Sequence, residues 1–441
     1  MGYPVHTDRD YAEIEKQLGI KKADDLFAHI PRELHKATGA NLERGLDEYE
    51  LLERFHQIVS EGKSPLADHA CGYGLYRHRI PLTVDHLGSR REFVTSYTPY
   101  QPEVAQGTLQ ALFEYQSLVS ILTGVPVANA SLYDGSTALV EAVRMAMRQK
   151  SLESAKVYFS SGVNPRYEEV FHSYFLDAEG KQFVTTERLS HDKATGNTVW
   201  AAGEPDIVVV QNPHYLGVAE AVQNLHEKYP SATIIYLTTE MLSLVILDGP
   251  LKWGAEIICG EAQSLGLPVN YSGPGLGFIA AGAEYMRQMP GRLIGRTTAK
   301  DADGRDTEAY VITLATREQH IRREKATSNI CSNQTLMAVR AAIFMANLGW
   351  TGMQKLIALS MEKAFAFHSE LKAKNPSALL FPQATVFHEV AWRSDKLDSI
   401  IERCVGQGFY PGVKIDGNTM LSYFHDDFDA AKLQFLLAEL S

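Results

Sequence analysis

Cysteine is scarce and scattered: four in 441 residues, at Cys71, Cys259, Cys331 and Cys404, with no CxxC pair. That spacing argues against a disulfide-framed scaffold or a zinc ribbon and favours a reducing compartment. Positive charge is also short. Lys+Arg 42 against Asp+Glu 53 leaves a formal net charge of −11 and a pI near 5.8. A surface of that sign repels phosphate backbones, and no local basic patch dominates, so no nucleic-acid partner is expected. Uninterrupted apolar runs of about 18 residues are missing, which predicts no membrane-spanning helix. The first residues carry charge at once and show no apolar signal core. Repeats and low-complexity tracts are missing as well. These absences predict a soluble, cytoplasmic protein with no membrane partner.

What is present is an ordinary globular composition, 45% hydrophobic and 22% charged, in a chain long enough for two or three packed regions. Residues 1–62 read as a helical arm: 11–18 stops at Gly19, 24–30 stops at Pro31, and 46–59 carries Leu51, Leu52, Phe55, Ile58 and Val59 at helical spacing. Such an arm has little core of its own. Residues 63–325 alternate helical stripes with short β-rich runs at 156–159, 207–210, 233–237 and 257–259, with a helical segment predicted over 218–229. Nearly continuous apolar strands in βα alternation mean a buried, mostly parallel sheet, hence a large α/β domain. Residues 326–441 read as a small α+β domain. It has a helix from Asn333 to Gly349, another from Met353 to about Ala373, strands near 380–392 and 419–424, and a closing helix.

Candidate chemistry is sparse. No HxH or HExxH occurs, and only His69, Cys71 and His78 approach ligand spacing, where turn and capping roles compete with a metal. Cys331 is either a nucleophile at a helix entry or a buried small side chain. Residues 272–277, Ser-Gly-Pro-Gly-Leu-Gly, either cradle a phosphate or simply turn, since they do not follow GxGxxG. The charged run 319–325 is either a solvated face or an anion or subunit contact. Loop 96–103 is more pointed. Pro99 and Pro102 restrict its backbone while Tyr97, Thr98, Tyr100, Gln101 and Glu103 offer hydroxyls, an amide and a carboxylate. It is either a rigid strap or a presented set of polar groups.

Longer segments carry a resemblance. They are Tyr97-Thr98-Pro99-Tyr100-Gln101-Pro102-Glu103 with Gln106-Gly107-Thr108; Ala128-Asn129-Ala130-Ser131-Leu132-Tyr133-Asp134-Gly135-Ser136; Val209-Val210-Gln211-Asn212-Pro213; Gly260-Glu261-Ala262-Gln263-Ser264-Leu265-Gly266; Met289-Pro290-Gly291-Arg292; and Arg317 through Cys331. In this order, from Leu26 to about Gly349, the chain resembles the alpha subunits of two-subunit glycine decarboxylase, the P-protein of the glycine cleavage system. The resemblance implies the type I fold of pyridoxal-phosphate enzymes. It also implies a beta subunit that holds pyridoxal 5′-phosphate on its own lysine, glycine as substrate, and transfer of the aminomethyl group to a lipoyl H-protein within a heterotetramer.

It implies residue roles too. The Schiff-base lysine position falls on Gln263, whose amide forms no imine; the only lysine nearby in sequence is Lys252. The partner of the pyridine nitrogen falls on Glu240, where relatives look to carry Asp. This chain's own pocket is therefore expected to be vestigial. Tyr97, Tyr100, Gln101 and Glu103 are expected to reach over the beta subunit's cofactor. Asn129, Tyr133 and Asp134 are expected near this chain's phosphate turn, and Arg322 and Arg323 at subunit contacts. Three departures stand out: Ala70-Cys71-Gly72-Tyr73-Gly74 for Phe-Leu-Gly-Gly-Gly, Val104-Ala105 for Ile-Ser, and Tyr271-Ser272-Gly273-Pro274 for Phe-Gly-Gly-Pro. They keep open a second reading, a diverged, non-catalytic scaffold with an interaction or regulatory role.

Overall fold

The computed structural model describes residues 6–35, 45–61, 68–176, 179–221, 223–269 and 273–440. The chain divides into two units, Met1–Ser64 and Pro65–Ser441. In the first unit, the helix Asp8–Leu18 opens on a capping box between Thr7 and Asp10 and closes at Gly19 in the left-handed region, φ 67. The expected 24–30 helix is only a 3₁₀ turn, Ala23–Phe27. The helix Glu48–Glu61 carries the predicted stripe, and Tyr49, Leu52, Phe55 and Val59 on it are exposed.

The second unit is built on strands. In chain order these are β1 Asp68–His69, β2 Val127–Ala128, β3 Ala155–Phe159, β4 Val184–Arg188, β5 Ile207–Gln211, β6 Thr233–Thr238, β7 Ile257–Glu261, β8 Gly277–Ala281, β9 Leu293–Lys300 and β10 Asp306–Thr313. They continue with β11 Glu389–Arg393, β12 Phe409–Tyr410, β13 Val413–Lys414 and β14 Thr419–Tyr423. A seven-stranded sheet runs β2-β8-β7-β6-β5-β3-β4. Its β4-β3-β5-β6-β7 stretch is parallel and β8 is antiparallel. Strands β5, β6 and β7 are buried at every position, as their unbroken apolar runs require of a sheet covered on both faces. The fold is the expected α/β type, a large mostly parallel sheet accompanied by a small three-stranded sheet, β11-β14-β13. A separate hairpin, β9-β10, stands beside the helix Pro102–Thr123.

One helix, Thr335–Lys374, belongs to both cores. Val339, Phe344 and Ile357 pack with Tyr236, Met241 and Leu265 of the large core, whereas Phe367 and Leu371 pack with Trp392, Met420 and Leu437 of the small one. The two helices predicted on either side of 349–353 are its halves, joined at Gly349 with φ 61. The expected division after residue 325 thus falls within a unit whose two cores share this helix. By length and composition it could also cross a bilayer; Val339, Phe344, Ile357, Phe367 and Leu371 are buried in these cores, while Trp350, Leu359 and Phe365 are exposed. The predicted 218–229 helix is reduced to Leu225–Lys228. Residues 217–219 instead pair with 385–387, Phe387 N–H donating to Gly217 O and Ala219 N–H to Thr385 O; tertiary pairing overrides local propensity.

Candidate active site

In parallel sheets, ligands bind beyond the carboxyl ends of the strands. Here those ends carry Glu240 after β6, Glu261 closing β7 and Gln263 just beyond it. All three are buried, and each is already engaged.

Glu240 caps the 3₁₀ turn Met241–Val245 by accepting the Leu242 N–H at 2.9 Å. Its other oxygen lies 2.8 Å from His78 Nε2 and 3.3 Å from His388 Nε2. Burial alone would push this carboxyl up. The charge of His78 and the bonds from His388 and His78 outweigh it and hold the carboxyl far below its usual range. Burial likewise works against a charged His78, yet Glu240 and Asp426 push its imidazole up to about 9. A buried ion pair results, extended through Asp426 to Arg79, whose Nε is 3.3 Å from that carboxylate.

Gln263 fills the place expected for a lysine. Its carbonyl accepts the Tyr76 N–H at 2.9 Å, and its amide nitrogen donates to Tyr76 O and Leu267 O. The Tyr76 hydroxyl donates to Glu389 at 2.9 Å, and the ring lies 4.4 Å from that of His388. Glu389 also accepts the Tyr73 N–H at 2.7 Å. Burial wins over these donors and pushes its carboxyl up to about 8. Gly72 gives room for it, because a Cβ there would sit 2.3 Å from the Glu389 oxygen.

The helix Gly135–Gln149 points its N-terminus at the same region. Helix N-termini attract phosphate through free N–H groups and the dipole, but this one is taken. Asp134 accepts Ser136 N–H and Thr137 N–H at 2.8 and 3.0 Å. Glu261 accepts Gly135 N–H at 2.9 Å, Gln263 N–H at 3.0 Å and Leu276 N–H at 2.7 Å. Burial pushes Glu261 up to about 7 against those donors. A Cβ on Gly135 would meet Tyr167 Oη at 2.5 Å and the Glu261 backbone nitrogen at 2.8 Å. Pyridoxal phosphate therefore does not fit the sheet end of this chain. Its phosphate would face two carboxylates, and its aldehyde would find an amide already satisfied by three hydrogen bonds.

The other expected site residues divide sharply. Asn129 is a buried staple, accepting Ile279 N–H and donating to Pro290 O. The Tyr133 hydroxyl accepts Cys331 N–H at 3.1 Å and Ser332 N–H at 3.4 Å. Neither points to a ligand. His69 and Cys71 are neighbours through the Cys71 N–H, while His78 has left them for Glu240. Cys331 is exposed, and Lys252 is an exposed residue ion-paired with Asp248. Within 272–277, Ser272 lies outside the described residues, as does Tyr271. Arg322 and Arg323 are exposed, with Arg323 at φ 52, and among the described residues they make no ion pair.

Loop 96–103 is different. Pro99 is buried and anchors it, whereas Tyr97 is 83% and Tyr100 56% exposed, and Gln101 and Glu103 are exposed too. Gln101 sits at the N-cap of Pro102–Thr123 without using its side chain as a cap, and Pro102 begins the helix. Gln106 ties this helix start to the β9-β10 hairpin by exchanging bonds with Tyr310 N–H at 2.8 Å and Tyr310 O at 2.9 Å. The four residues singled out from the sequence are thus brought together on one firm, outward-facing loop, well apart in kind from the sealed interior. Glu261 and Arg292 lay inside the matched motifs, but a motif shows identity without showing what a side chain touches. Tyr76, His388 and Glu389 gave no signal of that sort.

The glycine cleavage system P-protein family profile matches residues 2–418. A probable glycine dehydrogenase (decarboxylating) subunit 1 of Caulobacter vibrioides (strain NA1000 / CB15N) is 41% identical over 424 residues, covering 94% of this chain and 91% of that one. A protein of the same name from Desulforamulus reducens is 38% identical, covering 91% and 89%. The crystal structure of a glycine decarboxylase (P-protein) of the glycine cleavage system, in inhibitor-bound form, superposes with a TM-score of 0.86 at 34% identity, over 100% of this chain and 99% of that one. A Lactobacillus brevis glutamate decarboxylase, at TM-score 0.60 and 12% identity, shares the fold alone. A sealed sheet end, an outward polar loop and similarity over nearly the whole length agree: the chain belongs to the P-protein family of the glycine cleavage system.

Proposed function

We propose that this chain is the alpha subunit of a two-subunit glycine dehydrogenase (decarboxylating), acting on glycine only together with a beta subunit. The beta subunit holds the pyridoxal phosphate, and the aminomethyl group passes to a lipoyl H-protein. One observation carries this reading: Gln263, where an imine-forming amine belongs, is a buried amide whose two N–H groups and carbonyl are all engaged. The cofactor supplies the electron sink when bound. What this chain supplies is the loop: the Tyr97 and Tyr100 hydroxyls would lie near the substrate carboxylate, and the Glu103 carboxylate would sit beside its amino group or serve a proton relay. Glu103 lies in the first turn of Pro102–Thr123, ahead of the kink at Ala105, and is exposed. Val94 and Val104, which flank the loop in sequence, are both exposed apolar side chains and support contact of the loop with a partner.

Relatives carrying the subunit name over most of this chain support the catalytic reading over the scaffold reading. The dispersed free cysteines support a cytoplasmic setting, and two alpha–beta pairs are the proposed assembly, read by its mass in solution. The decisive test mixes the chain with its beta subunit and follows glycine-dependent release of carbon dioxide. Activity is expected only in the mixture, and borohydride is expected to fix the cofactor on the beta chain. Carbon dioxide release by this chain alone, or a stable complex without activity, would sink the proposal.

A further inference from the structure

Arg292 follows the Met289-Pro290-Gly291 turn and immediately precedes β9. It is 4% exposed, and among the described residues it has no carboxylate partner. Its guanidinium donates to Asn333 Oδ1 at 3.1 Å, to Cys331 O at 3.1 Å and, through a longer bond of 3.3 Å, to the Tyr100 hydroxyl. The same group lies 5.4 Å from the centroid of the Tyr100 ring, while its Nε has no hydrogen-bond partner among the described residues.

A buried cation held only by neutral acceptors is an expensive way to join two segments, and a neutral amide would do that more cheaply. What a guanidinium adds is a flat, rigid fork that can meet an aromatic ring and a hydroxyl while still bonding backbone. Here the fork grips Tyr100 from the protein side. Pro99 and Pro102 restrain the loop backbone, but a tyrosine that is 56% exposed has rotamer freedom unless its ring is held. Arg292 holds that ring against the segment 331–333. We infer that Arg292 is a positioning residue that sets the Tyr100 hydroxyl for use in the partner subunit's active site. This rests on the reading that loop 97–103 enters that site.

The test uses the reconstituted alpha–beta pair with Y100F, R292K and the double variant, read as turnover at saturating glycine, KM for glycine and complex mass. R292K keeps the charge but replaces the fork by a point donor that cannot serve all three partners. Turnover of Y100F and of R292K should each fall about tenfold with complex mass unchanged, and the double variant should be no slower than Y100F, because removing the hydroxyl leaves nothing to position. Full turnover in R292K, or losses that multiply in the double variant, would overturn the inference while leaving the loop reading intact. Full turnover in Y100F would instead remove the loop reading on which it rests. If R292K does not assemble, R292Q is measured in the same way. Failure of both to assemble would make Arg292 a folding residue and refute the positioning role.

Discussion

Replacing Gln263 by lysine supplies the amine that pyridoxal enzymes of this fold use, so it asks whether one residue or the whole surround closes the pocket. In the native chain the Gln263 carbonyl accepts the Tyr76 N–H at 2.9 Å, and its amide donates to Tyr76 O and Leu267 O. A lysine still donates to those carbonyls but accepts nothing, leaving a buried N–H unpaired at a cost of about 1–3 kcal/mol. Taking the ammonium out of water, or forcing it to release its proton, adds a few kcal/mol more. The expected loss is on the order of 3–6 kcal/mol, a large share of a typical folded-state margin of about 5–15 kcal/mol. Urea denaturation should show the midpoint fall steeply, and incubation with pyridoxal phosphate followed by borohydride should leave residue 263 unlabelled. The phosphate would still meet Glu261 and Asp134 at the Gly135 N-terminus. A Q263K chain of near-native midpoint that traps the coenzyme at residue 263 would refute the argument.

Three further predictions follow from the same geometry. Stability should decline as pH rises from about 6.5 to 9. The contribution of His78, with its pKa raised to about 9, is complete below the ordinary histidine value and lost as that proton leaves. Glu389, raised to about 8, adds to the same trend, since it is most favourable when protonated and loses ground as it ionises in its buried place; a urea midpoint that rises over that window would contradict both. In the reconstituted pair, Tyr97→Phe and Glu103→Gln should each lower turnover by about tenfold or more with assembly unchanged, and full rates in both would remove the loop from the active centre. Gly135→Ala should cost about 1–3 kcal/mol through overpacking against Tyr167 and Glu261, which a thermal melt of the free chain would register; an unchanged melting temperature would show that the neighbours give way.

The large sheet was legible because β5, β6 and β7 are short runs of apolar residues with helical stretches between them, and burial on both faces leaves that trace in a sequence. Loop 96–103 was legible for a different reason: two prolines and a set of polar side chains stand together in eight successive positions, so their grouping needs no folding to reveal it. The sealed interior was not. Its members come from 72–78, 240, 261–263 and 388–389, brought together only by the sheet and by the β11 strand of the small sheet. Glu389 reads locally as an ordinary charge ahead of Val390, and His388 as one histidine among fifteen. The short 225–228 helix shows the converse, since an amphipathic pattern over 218–229 was set aside by pairing with 385–387. Asn129 and Tyr133 were legible as part of a motif and misleading as to purpose, because their bonds staple backbone.

The carboxylate of Glu261, seated on the N–H groups of Gly135, Gln263 and Leu276, has an effect on supply. A protein with an empty phosphate cradle would soak up free coenzyme and hold it uselessly. This one has the seat taken by its own side chain, so under the proposed function it would not compete for a scarce vitamin derivative. In the proposed pair, each coenzyme molecule recruited would go to the one subunit able to turn it over, and the demand would be a single equivalent for every two chains made.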